Sequence, residues 1–132
     1  MLHGASRLTN VDADLCALVW NVASSRDVNL VQGARTIAEE QADIDKGVSH
    51  LKDPKDSYHV IVPGVRDLAL AVDLAPCDAN GVIPWTDKQA FVDLAALVKK
   101  WAFALGITPF SWGGDWPRPF DFDHYQKADA PS

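Results

Sequence analysis

The chain has 132 residues and a mass of 14.4 kDa, with 48% hydrophobic and 23% charged residues, a globular composition that sets disorder aside. A formal charge of −6 and a pI near 4.9 exclude a simple phosphate-binding face, so no nucleic-acid partner is expected. The start, MLHGASR, lacks the basic residues and apolar run of a secretory signal, and no stretch reaches the ~20 apolar residues of a membrane span. A cytoplasmic chain without stable membrane association is the expectation, and its length suits one domain over residues 1–132.

In chain order, Asn10 is expected to cap a helix that buries Leu15, Leu18, Val19 and Val22, an i, i+3, i+4, i+7 stripe. A short strand over Val28 to Val31 follows, and Gly33 marks a turn. Thr36 to Lys46 carries good helix formers with acids early and lysine late, as the helix dipole prefers. Residues 47–66, with Pro54 and Pro63, form a polar connection of the length that is usually functional or mobile. Leu68 to Leu74 (LALAVDL) alternates strictly and predicts a strand. Leu68, Leu70, Val72 and Leu74 would share one face; Ala69, Ala71 and Asp73 would share the other, leaving Asp73 in a shallow trough or ending the strand with turn hydrogen bonds.

Thr86-Asp87-Lys88-Gln89 is expected to be a capping box for a helix running to Leu105, with Phe91, Leu94, Ala95, Val98, Ala102 and Leu105 inward and Gly106 as the left-handed stop. Thr108 to Trp112 predicts a strand leading into a glycine-rich aromatic loop, and the tail from Lys127 to Ser132 is expected to fray. Cys16 and Cys77 are far apart in apolar surroundings and are expected to be reduced buried thiols, with Cys77 as a metal ligand the rival reading.

Of four histidines, His3 and His50 lie in segments expected to face solvent, while His59 and His124 flank the regions that hold Asp73 and Asp121. A histidine taken alone is more often an ordinary surface or core residue. Two histidines and an aspartate are, however, a three-ligand set for catalytic zinc that leaves the fourth tetrahedral position to water. Asp121, three residues before His124, is then placed to take that water's proton, with Asp123 as its rival. Residues three apart on an ideal strand point to opposite faces, so the backbone must turn between Asp121 and His124, for which Pro117 and Pro119 are credible causes.

Four ordered blocks carry a resemblance to a known family. Gln32-Gly33-Ala34-Arg35-Thr36 with Glu40-Gln41 resembles a "GxRT...Q" segment, and Lys55-Asp56-Ser57-Tyr58-His59 an "SxH" block. Ala71-Val72-Asp73-Leu74-Ala75-Pro76 resembles "AVDLAP", and Trp112-Gly113-Gly114-Asp115-Trp116 with Asp121 and His124 resembles "WGGDW...DxxH". Together they resemble the zinc D-Ala-D-Ala carboxypeptidase and L-alanyl-D-glutamate endopeptidase group, particularly its small phage endolysins.

The resemblance implies His59, Asp73 and His124 as zinc ligands, Asp121 as catalytic carboxylate, and Arg35 as the group that holds a substrate carboxylate or polarises the scissile carbonyl. It implies Ser57 as a site-shaping hydrogen-bond donor, and Asp115, Trp112 and Trp116 as cleft-wall or ligand-orienting residues. It also implies a hedgehog/DD-peptidase-like α+β fold: helices on one face of a small, mostly antiparallel sheet and a metal cleft across the other.

The implied activity is hydrolysis of a stem-peptide bond in bacterial peptidoglycan, with L-alanyl-D-glutamate the preferred bond, by a monomer without a separate wall-binding domain. Such an enzyme would accumulate in the host cytoplasm and reach the wall once the membrane is permeabilised. A carboxypeptidase trimming D-alanine, or a zinc-less binding or structural domain on the same scaffold, are the alternatives. One departure stands out, because the family places its first histidine seven residues before the aspartate, and that position here is Arg66. Either an inserted loop separates His59 from Asp73, or a ligand has been lost.

Overall fold

The computed structural model describes residues 1–117 and 120–131. Pro119, expected to help bend the chain before Asp121, lies outside them, as does Ser132 at the end of the tail.

Five strands form one mixed sheet in the order β1-β2-β3-β5-β4: β1 (Leu2–His3), β2 (Val28–Gln32), β3 (Ala71–Pro76), β4 (Ser111–Trp112) and β5 (His124–Gln126). Only β1 and β2 run parallel; the remaining neighbours are antiparallel, as expected of a mostly antiparallel sheet. Helices α1 (Ala13–Ala23) and α3 (Lys88–Ala104) pack on each other and on β3, so one face of the sheet meets Leu15, Leu18, Val19, Val22, Leu94 and Val98. Val28, Leu30, Val72, Leu74 and Tyr125 answer from the strands, all at most 1% exposed. Full burial of each such aliphatic side chain contributes roughly 1.5–3 kcal/mol, which fixes which face of each strand points inward.

That choice of face builds the other side. In β3 the alternation that buries Val72 and Leu74 turns Asp73 outward, and in β5 the burial of Tyr125 turns His124 and Gln126 outward. Helix α2 (Ile37–Asp45) stands apart from α1 and α3 and packs on a short 3-10 turn at Pro54–Asp56. Thr36 caps it through a capping box with Glu39, Thr36 Oγ1 accepting from the Glu39 amide at 3.1 Å.

Several boundaries differ from the sequence expectation. Asn10 is not the cap of α1: its backbone is left-handed at φ 62° and its carbonyl is spent on the Ala69 amide. Asp12 caps instead, accepting from the amides of Asp14 and Leu15. Asp87, not Thr86, caps α3, and Gln89 bonds forward to Asp93 rather than back to the cap.

Strand β3 begins at Ala71 because the amides of Ala69 and Leu70 are taken by Asn10 and Tyr58, and Leu68 is left 43% exposed. Leu105, the C-cap of α3, is 41% exposed rather than inward. Only Ser111 and Trp112 of the expected Thr108–Trp112 strand pair with β5, Pro109 having no amide hydrogen to offer a ladder. Cys16 and Cys77 are free and partly buried.

The tail does not fray at its start. Lys127 donates its amide to Leu70 and its ammonium to Asp12 and Asp14, and the Ser111 hydroxyl donates to the Ala128 carbonyl at 2.8 Å.

Candidate metal centre

Asp73 and His124 are direct partners across the antiparallel β3–β5 ladder, which sets their side chains side by side on the outer face. The turn expected between Asp121 and His124 is present, closed by the His124 amide on the Asp121 carbonyl at 3.2 Å, so Asp121 can reach the same space as His124. Gly113 makes this approach possible: a Cβ there would lie 2.1 Å from the Asp121 carbonyl oxygen. Gly114 is equally constrained, since its Cβ would lie 2.2 Å from the Trp112 ring.

His59 arrives from the long connection. The Arg35 amide donates to the His59 carbonyl at 2.8 Å and the Ile61 amide to the Arg35 carbonyl at 2.9 Å, pinning the loop to the chain that continues from β2. The Arg66 guanidinium binds the carbonyls of Val60 (2.9 Å), Ser57 (2.9 Å) and Lys55 (2.7 Å), and stacks over Tyr58. The intervening residues close on themselves through the Val62–Arg66 bridge at Pro63-Gly64. Arg66 therefore holds the loop that carries His59, and that loop sets the histidine beside Asp73 and His124.

His59 Nε2, His124 Nδ1 and Asp73 Oδ1 form a nearly equilateral triangle with sides of 3.1, 3.2 and 3.2 Å. Three donors of a tetrahedral zinc ion with bonds of about 2.0–2.1 Å would lie about 3.3 Å apart, so the residues fit the metal. Both rings are over 90% buried.

The outer nitrogens fix what the inner ones present. His59 Nδ1 donates to the Gly33 carbonyl at 2.8 Å, and His124 Nε2 donates to Gln126 Oε1 at 2.9 Å. Each inner nitrogen then offers a lone pair, and two lone pairs facing one carboxylate oxygen require a cation, proton or metal, between them.

The titration of these groups reflects the same demand. Burial works against the charged form of Asp73, but His59 and His124 overcome it and hold the carboxyl well below its usual range. Burial likewise opposes protonation of His124, yet its hydrogen bond to Asp73 and the nearby acids raise its pKa above the ordinary histidine value. Asp123 is pushed up to about 8 by burial, then by the charges of Asp73 and Asp121.

A cleft of about 940 Å³ opens over the triangle, lined among others by Arg35, Ser57, His59, Asp73, Trp116 and Asp121. Asp121 is half exposed, with Oδ2 4.0 Å from His124 Nδ1. Asp123 groups with Asp73 and Asp121 but is not on the cleft wall, which favours Asp121 over its rival.

Arg35 is on the wall with its guanidinium engaged: Nη2 meets Asp43 at 2.6 Å and the Glu39 carbonyl at 3.0 Å, Nε lies 3.4 Å from Glu40 without hydrogen-bond geometry, and Nη1 reaches Gln32 at 3.4 Å. Ser57 Oγ accepts from the His59 amide at 3.3 Å, which leaves its hydroxyl proton free to donate.

Two expected site residues sit elsewhere. Trp112 is 5% exposed in the core, its indole donating to the Phe122 carbonyl, and it is not on the cleft wall. Asp115 is an exposed residue paired with Lys99 at 2.6 Å and orients neither histidine. Trp116 does reach the cleft, edge-on to His124 at 5.0 Å. The outer nitrogens of the two histidines meet Gly33 and Gln126, and Cys77 is outside the ligand group. The sequence reading missed both; the i, i+2 spacing of Gln126 from His124 on one strand was the signal that could have found the second.

Comparison with known proteins supplies the family and the fold. The sequence profile of the phage L-alanyl-D-glutamate peptidase family matches residues 2–131. The L-alanyl-D-glutamate peptidase of Escherichia phage T5 is 35% identical over 99 residues, 75% of this chain; the match spans 66% of that relative, just under two thirds of its length. The crystal structure of the Serratia marcescens L-Ala D-Glu endopeptidase ChiX shares the fold, with a TM-score of 0.75 at 22% identity over 96% of this chain and 89% of that one.

Proposed function

The chain belongs to the phage L-alanyl-D-glutamate peptidase family, and on that premise we propose that it is a zinc-dependent endopeptidase that cuts the L-alanyl-D-glutamate bond of the peptidoglycan stem peptide. The observation that carries this reading is the triangle of His59 Nε2, His124 Nδ1 and Asp73 Oδ1 at 3.1–3.2 Å, open to a cleft with the half-exposed Asp121 carboxylate beside it.

Bound there, zinc would supply Lewis acidity that makes water nucleophilic near neutral pH and polarises the scissile carbonyl. Asp121 accepts the proton of the attacking water and returns it to the leaving amine, a role its exposure and its place 4.0 Å from His124 Nδ1 suit. Arg35 presents Nη1, whose contact to Gln32 is long at 3.4 Å, to a substrate carboxylate while Asp43 and Glu40 keep the guanidinium oriented. Ser57 keeps the His59 turn in shape and offers its hydroxyl proton to substrate. Trp116 supplies an apolar wall.

Among the described residues no helix is long and apolar enough to cross a membrane. In this reading the chain acts as a monomeric endolysin, reaching the wall from the host cytoplasm after the membrane is permeabilised.

The test is mass spectrometry of fragments released from purified peptidoglycan, with the Asp121→Asn variant alongside. New amino termini on D-glutamate are expected, abolished by chelation. Asp121→Asn should keep about one zinc per chain while turnover falls about 10²- to 10⁴-fold. Release of free D-alanine from an intact wall would overturn the assigned bond, and an equally active Asp121→Asn would remove that residue from the reaction.

A further inference from the structure

We propose that Gln126 sets the tautomer of His124, and that it can do so because the chain beyond it folds back to hold its amide. The inference rests on the metal reading above and adds a positioning residue to it.

Gln126 is 3% exposed and faces outward on β5, two residues after His124. Its Nε2 donates to the Asp129 carbonyl at 2.8 Å, and its Oε1 lies 2.9 Å from His124 Nε2. A backbone carbonyl accepts and never donates, so the nitrogen end of the amide must face Asp129. The oxygen end is then committed to His124. An amide oxygen can only accept, which requires the proton of neutral His124 to sit on Nε2 and leaves the lone pair of Nδ1 directed at His59 and Asp73.

Flipping the amide would bring two oxygens to 2.8 Å and leave the ring without its acceptor, so the wrong orientation is disfavoured at both ends. The Asp129 carbonyl is in place because the preceding residues are tied down: Lys127 to Leu70, Asp12 and Asp14, and Ala128 to Ser111. His59 needs no such relay, since its Nδ1 meets the Gly33 carbonyl directly.

The test compares Gln126→Leu, Gln126→Glu and a chain lacking residues 129–132 with the parent, using zinc affinity by chelator competition and the tautomer of His124 by long-range proton–nitrogen NMR of metal-free protein. Gln126→Leu should bind zinc about 10- to 100-fold more weakly, the range for loss of a partner behind a metal-bound histidine, and should lose the uniform Nε2–H form. Gln126→Glu, which keeps the acceptor for His124 but sets an oxygen against the Asp129 carbonyl, should restore the tautomer and part of the affinity. The shortened chain should fall between them. A melting curve of each metal-free variant confirms that it is folded.

Parental zinc affinity in a folded Gln126→Leu overturns the relay, and so does an equal loss in Gln126→Glu, which would leave Gln126 a packing role only. A parent chain that binds no zinc would instead overturn the metal reading itself.

Discussion

Asp73 and His124 meet because two strands pair in one register, whereas His59 reaches them from a loop held by an arginine and three backbone carbonyls. The sheet half inherits its accuracy from the core: Val72, Leu74 and Tyr125 cannot be buried without turning Asp73 and His124 to the other face. The loop half has no such guarantee and needs dedicated contacts, the Gly33 and Arg35 backbone on one side and Arg66 on the other. A site assembled in this way is half set by strand register and half held by loop contacts, and the two halves should respond differently to perturbation.

The largest effect should come from the sheet half. Asp73→Asn keeps the shape and the strand pairing but removes the one charged ligand. If a structural-strength zinc site is worth about 10–16 kcal/mol, a third of that is roughly 3–5 kcal/mol, or about 10²- to 10⁴-fold in affinity. Zinc content after dialysis should fall from about one per chain to near none, and the metal-free melting temperature at neutral pH should fall as well, because the contribution of the paired carboxylate goes with its charge. A variant that still retains stoichiometric zinc would show that the carboxylate is not a ligand.

Acidity should separate folding from loading. In metal-free protein His124 has a raised pKa and Asp123 one of about 8, so both bind protons more tightly folded than unfolded. Their contributions are present at low pH and are lost as pH rises, that of Asp123 between its usual 3.8 and about 8 and that of His124 above its usual 6.5. Asp73, whose pKa is lowered, loses its contribution only below its usual 3.8, outside this window.

Zinc loading runs the opposite way, because a proton on His124 Nδ1 excludes the metal, and affinity should gain up to about tenfold per pH unit until that proton has left. Between about pH 6 and pH 8 the metal-free melting temperature should therefore fall while zinc affinity rises. Parallel trends would refute this assignment of protons.

How much of the centre was legible in the sequence follows from the same division. His59, Asp73, His124 and Asp121 could be singled out because only a few side chain types bind metal or move a water's proton, and the blocks containing them stand in order; the structure gathers them in one place. The face of Asp73 could be read because strand alternation is a two-residue rule. Arg66 could be seen only as a departure: its task depends on carbonyls of Lys55, Ser57 and Val60 that only the folded loop brings together.

Gln126 carried no motif, its significance lying in a contact to Asp129 beyond the strand. Trp112 and Asp115 were misplaced because a glycine-rich aromatic loop reads as a binding surface, while here Gly114 exists to let the Trp112 ring lie flat against the chain and into the core.

The loop half should give way more gently than a ligand does. Arg66→Ala removes three hydrogen bonds from a charged donor in a partly exposed setting and should destabilise the protein by about 2 kcal/mol. It should also lower zinc affinity by about tenfold, the low end for residues behind a ligand, because His59 loses part of its support. Arg66→Lys should recover little, since one ammonium cannot span three carbonyls as the planar guanidinium does. Faster amide exchange confined to residues 55–62 would locate the change; unchanged zinc affinity would mean that the Gly33 and Arg35 contacts hold His59 unaided.

The smallest expected effect distinguishes the structure from the sequence resemblance most sharply. Asp115 faces solvent and pairs with Lys99, both side chains roughly half exposed at 56% and 45% respectively. Such a pair is worth at most about 1 kcal/mol, so Asp115→Asn should leave zinc affinity and peptide cleavage close to the parent's and shift the melting temperature slightly. Lys99 keeps its place over the Trp112 ring at 5.0 Å, so the glycine loop that positions Asp121 retains its anchor on α3. Had Asp115 oriented a histidine, as the resemblance implies, the same change would weaken zinc binding about 10- to 100-fold. One titration with a competing chelator separates a surface ion pair from a residue behind the metal.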